Sequence, residues 1–195
     1  MPLPPLTWPA TADETRLGLI TLVHRVQIDV DPLTVWRYAC NASRWVEWQP
    51  ASRRVEPLPD QPLLTGGTAV EHIMVGRLTF AARWQVLADA PGRLWVIATE
   101  TPVGMARIVY RLAPLGTAAT RFERTLSCRT RSPLRHWLDR WTLPHMLGPL
   151  SRDALAALKL RLETAHSPPE VQPPRVPRWR AETGLRTEAR RPGRP

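Results

Sequence analysis

The 195-residue chain is poor in cysteine and lysine and has no long apolar run. Its two cysteines, Cys40 and Cys128, form no CxxC motif, so neither a disulfide framework nor a structural zinc site is expected. The five histidines show no metal-ligand spacing either, and no metal or cofactor is predicted. The longest apolar stretch, residues 17–23, is too short to span a bilayer and lacks a following cleavage site. We therefore expect a cytoplasmic protein without membrane insertion.

Positive charge comes almost entirely from arginine, and the formal net charge is +10. Residues 167–195 contain seven arginines and three glutamates, so this segment contributes +4. It also holds seven prolines and almost no large apolar side chains, which predicts a disordered tail. Residues 1–18 form a second expected flexible segment, leaving 19–166 as the folded domain. From the positive charge of the tail we expect at most weak contact with an anionic surface, and we expect no specific nucleic-acid partner.

The first part of the domain predicts a strand followed by two short helices. Partial alternation of β-branched residues indicates a strand over about 20–30. Asp31 can cap a helix over 32–39, and a second short helix fits between Asn41 and Pro50. Tryptophans are concentrated here. We expect Trp36 to anchor the first helix, whereas Trp45 and Trp48 either close the core or contact a ligand.

The remainder predicts a β-meander followed by a long helix. Six further β-like segments are separated by short breaks that contain Gly or Pro, which are typical of hairpin turns. An amphipathic helix then starts near Ser132, and Pro144 and Pro149 are expected to interrupt or kink it. A curved sheet covered by one long helix leaves room for a cavity between the two layers.

Three stretches carry a resemblance to a known superfamily. They are VQIDVDPLTVWRYACNASRWVEWQP, LTFAARWQVLADAPGRLWV and VYRLAPLGTAATRFERTL. In this order they resemble the SRPBCC superfamily, which includes START and birch-pollen-allergen-like proteins, and within it the polyketide cyclase/dehydrase-like branch. The resemblance covers about residues 21–165. It implies an α+β helix-grip fold: a curved antiparallel sheet of about seven strands, two short helices and a long C-terminal helix. That fold hosts binders, carriers and enzymes alike.

Strand parity predicts which polar side chains point inward. Arg124 shares a face with apolar residues of the last strand, and an inward charge is costly unless it is paired. Glu100 is the predicted partner, while the parity of the third strand turns His72 inward. The alternative is that these side chains reach solvent at strand ends, or that a bulge shifts the register.

These observations favour binding of an aromatic, polyketide-like or lipid-like small molecule, by a monomer or a homodimer. The alternative is a cyclase or dehydratase in which His72 and Tyr110 act as acid and base in the same cavity. The predicted ligand-binding residues are Trp48, His72, Phe80, Trp84, Glu100, Tyr110, Phe122, Arg124 and Trp141.

Overall fold

A computed structural model describes residues 19–101, 104–130 and 133–166, without the side chains of 133–140. The predicted loose segments, 1–18 and 167–195, lie outside the described residues. Within those described ranges, no helix is both long enough and apolar enough to cross a membrane.

The described chain forms one antiparallel sheet and three α-helices. The elements in chain order are β1 (Ile20–Ile28), α1 (Pro32–Ala39), a 3₁₀ turn (Ala42–Arg44), α2 (Trp45–Trp48), β2 (Ser52–Val55), β3 (Thr68–Val75), β4 (Leu78–Ala90), β5 (Leu94–Thr101), β6 (Gly104–Leu115), β7 (Ala119–Thr130) and α3 (Pro133–His166). The seven strands are ordered β1-β7-β6-β5-β4-β3-β2 and curl into a half-barrel. The predicted helix-grip architecture is therefore confirmed.

Local chemistry fixes the start of α1. The Oδ1 atom of Asp31 accepts hydrogen bonds from the backbone N–H groups of Leu33 and Thr34, each at 3.0 Å. Pro32 occupies the first helical position, where its missing N–H leaves no partner unsatisfied. Hydrogen bonds from Thr34 and Leu33 also lower the pKa of Asp31. The predicted bounds of this helix, 32–39, agree with the structure.

Two tryptophans fasten the small helices to the sheet. The buried Trp36 donates its indole N–H to the Leu94 carbonyl of β5 at 3.1 Å, as an anchor should. Trp45 is also buried and donates to the Ala39 carbonyl at 3.2 Å, which fixes α2 against the end of α1. The indoles thereby bury large apolar surfaces while their N–H groups stay paired.

The long helix α3 differs from the sequence expectation. An interruption at Pro144 and Pro149 was one of the two expected outcomes, but the helix continues from Pro133 to His166 through both prolines. Each proline removes one backbone donor, and the remaining turns and the packing of the helix compensate. The C-terminal half of α3 covers the core through the buried side chains of Ala154, Leu155, Leu158 and Leu162.

Candidate functional site

Strand register defines the concave face of the sheet. Tyr110 of β6 is paired with Trp95 of β5 on one side and with Arg124 of β7 on the other. Paired residues of neighbouring antiparallel strands project to the same face. The Tyr110 ring lies 6.3 Å from the Trp48 ring of α2, so this face is the one that the helices cover.

Aromatic rings fill most of the space over this face. We call Trp45, Trp48, Trp84, Trp95, Tyr110 and Phe122 the aromatic cluster; all six are buried. Ring centroids are separated by 5.0 Å between Tyr110 and Phe122 and by 5.4 Å between Tyr110 and Trp95. Trp45 meets Trp84 at 6.5 Å in an edge-on arrangement. The cluster is thus a packed aromatic layer with Tyr110 at its centre.

A small cavity remains between β7, the end of α2 and α3. Its volume is about 50 Å³, and Gln49, Arg124, Leu126, Leu147 and Ser151 are among its lining residues. Sites for drug-sized ligands measure about 300–1,000 Å³. The space in this conformation therefore accommodates water or one polar group, and a larger guest requires α3 to move or the aromatic cluster to repack.

Arg124 is the central polar group of this cavity, and its residue is only 8% exposed. Its Nη1 atom donates to the Ser151 hydroxyl of α3 at 2.8 Å, and Nη2 donates to the Gln49 side-chain carbonyl at 3.5 Å. Its Nε–H has no hydrogen-bond partner in the described part of the chain. No carboxylate of the described residues forms a salt bridge with this guanidinium. A buried guanidinium with an unpaired N–H and no carboxylate partner favours the binding of a hydrogen-bond acceptor or an anion.

Glu71 is a second buried ionisable group that the sequence reasoning missed. It is 4% exposed, and its Oε2 atom accepts the indole N–H of Trp84 at 2.7 Å. Burial raises the pKa of the Glu71 carboxyl, and the Trp84 hydrogen bond and the positive charge of Arg124 oppose that rise. Glu71 therefore presents a carboxyl that is harder to ionise than usual.

Two uncharged polar atoms of the aromatic cluster, the Tyr110 hydroxyl and the Trp48 indole N–H, have no hydrogen bond within the described ranges. Burial raises the pKa of Tyr110, and the nearby positive charge of Arg124 partly opposes the shift. Buried polar atoms in native proteins are nearly always paired, so a cluster of unpaired ones indicates a place for a guest molecule or for ordered water.

His24 lies beside Arg124 on the concave face, because the two residues are register partners of β1 and β7. Its Nδ1 atom is buried and has no partner among the described residues. Burial and the positive charges of Arg152 and Arg124 lower the pKa of His24. His24 was not among the predicted site residues, because nothing in the sequence of β1 indicates a charged neighbour on the distant β7.

The structure brings together most of the residues predicted to bind a ligand. Trp48, Trp84, Tyr110 and Phe122 belong to the aromatic cluster, and Arg124 lies at its edge. Phe80 is half-buried on the same face of β4, where it pairs with Ile73.

Three predicted placements are wrong. His72 and Glu71 are neighbours in β3, and the pairing of Glu71 with Ala82 turns His72 to the convex face. There its Nε2 atom lies 2.8 Å from an Arg54 nitrogen. Glu100 pairs with Met105, on the face opposite to Trp95 and Tyr110, so it cannot be the partner of Arg124 in the cavity.

Trp141 is the third misplaced residue, since it is 70% exposed. The part of α3 that covers the core is C-terminal to it, from Leu147 onward. The described residues also contain no cluster of three or more His, Cys, Asp or Glu side chains that could hold a metal ion.

A curved sheet gripping a long helix, with isolated polar groups on its buried face, defines a helix-grip protein. Comparison with protein families identifies it further. The chain belongs to the family described as polyketide cyclase / dehydrase and lipid transport, which matches residues 20–163. No curated protein matches the chain.

Solved structures support the same fold. The Zhui aromatase/cyclase from Streptomyces sp. R1128 has a TM-score of 0.61 and 18% identity, covering 74% of this chain and 94% of that one. A START superfamily protein from Mycobacterium smegmatis has a TM-score of 0.61 and 12% identity, covering 74% and 98%. The protein TTHA0849 from Thermus thermophilus has a TM-score of 0.62 and 14% identity, covering 75% and 99%. At these identities the likeness defines the fold alone.

Proposed function

We propose that the protein binds a small, largely apolar molecule that carries an acceptor or anionic oxygen, between the concave face and α3. The observation that carries this proposal is the state of Arg124: buried, without a carboxylate partner among the described residues, and with an unpaired Nε–H. A ligand oxygen at this point would compensate the buried charge. Family membership supports a hydrophobic guest of this kind.

The aromatic cluster gives the proposed ligand its apolar environment. Rings of the cluster meet at tilted and edge-on angles, which suits flat aromatic or polyene guests. Because the cavity at Arg124 measures about 50 Å³, binding requires a displacement of α3 or a repacking of the aromatic cluster. The contacts that open are those of Ser151 with Arg124 and of Leu147 and Leu150 with the cavity wall.

A pair of fluorescent probes tests the role of Arg124. 1-Anilino-8-naphthalenesulfonate carries an anion on two apolar ring systems, and N-phenyl-1-naphthylamine is the same molecule without the sulfonate. We expect Arg124→Met to weaken binding of the anionic probe by about 10- to 150-fold, the equivalent of one charged hydrogen bond of about 1.5–3 kcal/mol. Binding of the neutral probe should change by less than about threefold, since its apolar contacts remain.

The matched control is Arg121→Met, which removes an exposed arginine from an earlier position on the same strand. It should leave the affinity for both probes unchanged. Equal losses in the two variants, or an equal loss for both probes in Arg124→Met, would remove Arg124 from the site. Native mass spectrometry of protein purified from its own host then gives the mass of any natural ligand.

A second candidate function is a cyclase or dehydratase that uses the same interior. The observation favouring it is Glu71, a buried carboxyl with a raised pKa that can donate a proton close to Tyr110. The test is turnover of a poly-β-keto thioester. Glu71→Gln or Tyr110→Phe should abolish it, while His72→Ala should not, because His72 lies on the convex face. Absence of turnover in the unmodified protein would leave binding as the function.

A further inference from the structure

A larger concavity lies beside α1, and none of the six aromatic-cluster residues lines it. It has a volume of about 990 Å³ and is bounded by α1, the connection from β2 to β3, the β4–β5 turn and the last turn of α3. We call it the outer groove. Its apolar lining includes Leu33, Leu63, Leu64, Pro91 and Leu162.

The walls of the outer groove are held by their own hydrogen bonds. Asp60 accepts from Asn41 at 2.6 Å, from Ser43 at 3.1 Å and from the Nε–H of Arg44 at 2.9 Å. The bonds from Arg44 and Asn41 lower the pKa of Asp60 to about 2, so the carboxylate persists at all ordinary pH values. The backbone N–H of Leu63 donates to the Cys40 carbonyl at 3.0 Å. The groove is therefore pre-formed, which reduces the entropy that docking would cost.

Apolar side chains remain open to solvent at the mouth of this pre-formed groove. Leu33 is 38% exposed and Leu64 is 56% exposed. The charged residues of the lining are Arg37, Arg44 and Asp60, and Arg44 is already paired with Asp60. An occupant of the outer groove should therefore be apolar and carry little net charge.

The chain itself supplies such an occupant. His166 is the last residue of α3 and also lines the outer groove, so the following segment begins at the groove's edge. Residues 167–177, SPPEVQPPRVP, contain five prolines and two valines. One glutamate and one arginine give them a net charge of zero. Residues 178–195, with six arginines and two glutamates, carry the remaining +4.

We infer that residues 167–177 dock in the outer groove of their own chain. Proline-rich segments favour the extended polyproline II conformation, and grooves lined by aromatic and apolar side chains bind them. The sequence Pro174-Arg175-Val176-Pro177 has the P-x-x-P spacing that such grooves recognise. Tyr38 supplies an aromatic side chain to the lining of the groove.

Because residues 167–177 are covalently joined to the edge of the outer groove, a weak intrinsic affinity is enough to keep them docked. A docking segment joined directly to the groove's edge experiences an effective concentration of the order of millimolar. An intrinsic dissociation constant of about 0.1 mM would therefore keep the segment docked about nine-tenths of the time. Docking would cover Leu33 and Leu64 and would connect the end of α3, the helix that closes the ligand site, to α1.

Photo-crosslinking in the full chain tests this contact. The amino acid p-benzoylphenylalanine is placed at position 64 and, as a control, at position 78, where Leu78 is equally exposed at 56%. We expect an adduct within one chain from position 64 to residues 167–177, assigned by fragmentation so that contacts to 162–166 are excluded. Equal yields from the two positions, or adducts that only join two chains, would overturn the inference.

Trypsin cleavage gives a second, independent readout on the same full chain. The rate of cleavage after Arg175, in the docked part, is compared with that after Arg186, in the basic part. Docking for nine-tenths of the time slows the first cut about tenfold, because cleavage follows the open fraction. The double variant Leu33→Gln/Leu64→Gln should restore the rate and Leu78→Gln should not. Equal rates after Arg175 in all three proteins would contradict docking.

Discussion

Replacing Glu71 by glutamine should remove a pH-dependent loss of stability. Burial raises the pKa of Glu71 above the ordinary value of 4.5, so the folded protein retains this proton at pH values where the unfolded chain has released it. Stability then falls as the pH rises from about 4.5 to the folded pKa of Glu71, and is constant above it. The variant keeps an oxygen that can accept the Trp84 indole N–H.

The size of this stability change is set by the single proton that Glu71 keeps in the folded protein and releases in the unfolded chain. The free energy of unfolding can change by at most about 1.4 kcal/mol per pH unit in that window. For a domain of this size, this corresponds to a melting temperature slope of about 3–6 °C per pH unit. Other carboxyls titrate as well, so the measured quantity is the difference in melting temperature between the variant and the parent at each pH.

Thermal unfolding monitored by circular dichroism from pH 4 to pH 9 supplies this difference. We expect the variant to gain stability over the parent as the pH rises, and then to keep a constant advantage. A difference that does not change with pH would refute the assignment of Glu71 as a buried carboxyl with a raised pKa.

Three further changes have defined outcomes. Tyr110→Phe should not lower the free energy of unfolding in urea, because the buried hydroxyl makes no well-formed hydrogen bond in the described chain. Asp31→Ala should lower the melting temperature through a loss of about 1 kcal/mol at pH 7, and the loss should shrink below the ordinary pKa of 3.8, where protonation already weakens the cap. The pKa of His24 in the folded protein lies below the ordinary value of 6.5. Between these two pKa values the unfolded chain binds a proton that the folded protein does not bind. The parent should therefore lose stability as the pH falls from 6.5 toward the folded pKa. In His24→Gln this loss should be absent from the same melting curves; its persistence would assign the effect to other groups.

The sequence predicted those elements whose causes are local. Asp31 and Pro32 define the start of α1 by their own hydrogen bonding and ring geometry, which require no knowledge of the rest of the fold. Glycines in turns such as Gly92, with φ of +71°, mark the hairpins that give the strand order. Trp36 was recognisable as an anchor because a large indole on a short capped helix has a single apolar direction to face.

The face of a side chain was predictable only where one face of a strand is polar. In β5 the inward Trp95 and Ile97 alternate with the outward Leu94 and Val96, so apolar parity could not decide the direction of Glu100. In β3 the inward residues include the small Ala69, and the larger Val70 and Met74 lie on the other face. The apolar pattern therefore predicted that His72 points inward, whereas the strand register turns its neighbour Glu71 inward.

The size of the cavity depends on how side chains from several elements pack together, which cannot be predicted from any one segment of the sequence. Six rings from five different elements meet in the aromatic cluster, and their combined volume leaves about 50 Å³ at Arg124. The rotation of α3 that exposes Trp141 is likewise set by tertiary packing of the later part of the helix. Sequence periodicity defines a helical stripe but not how far along the helix the sheet extends.

The pairing of β1 with β7 has a consequence for how the chain reaches its native state. Ile20 is the register partner of Cys128, and Ile28 is the partner of Thr120, so the first strand has no neighbour in the sheet until the last strand is made. During synthesis β1 cannot pair with β7 until about a hundred further residues have been made, and closing so large a loop is slow. Meanwhile its half-apolar edge is open to other chains. The β7 strand, which carries Arg124, is thus also the strand that ends the exposure of β1.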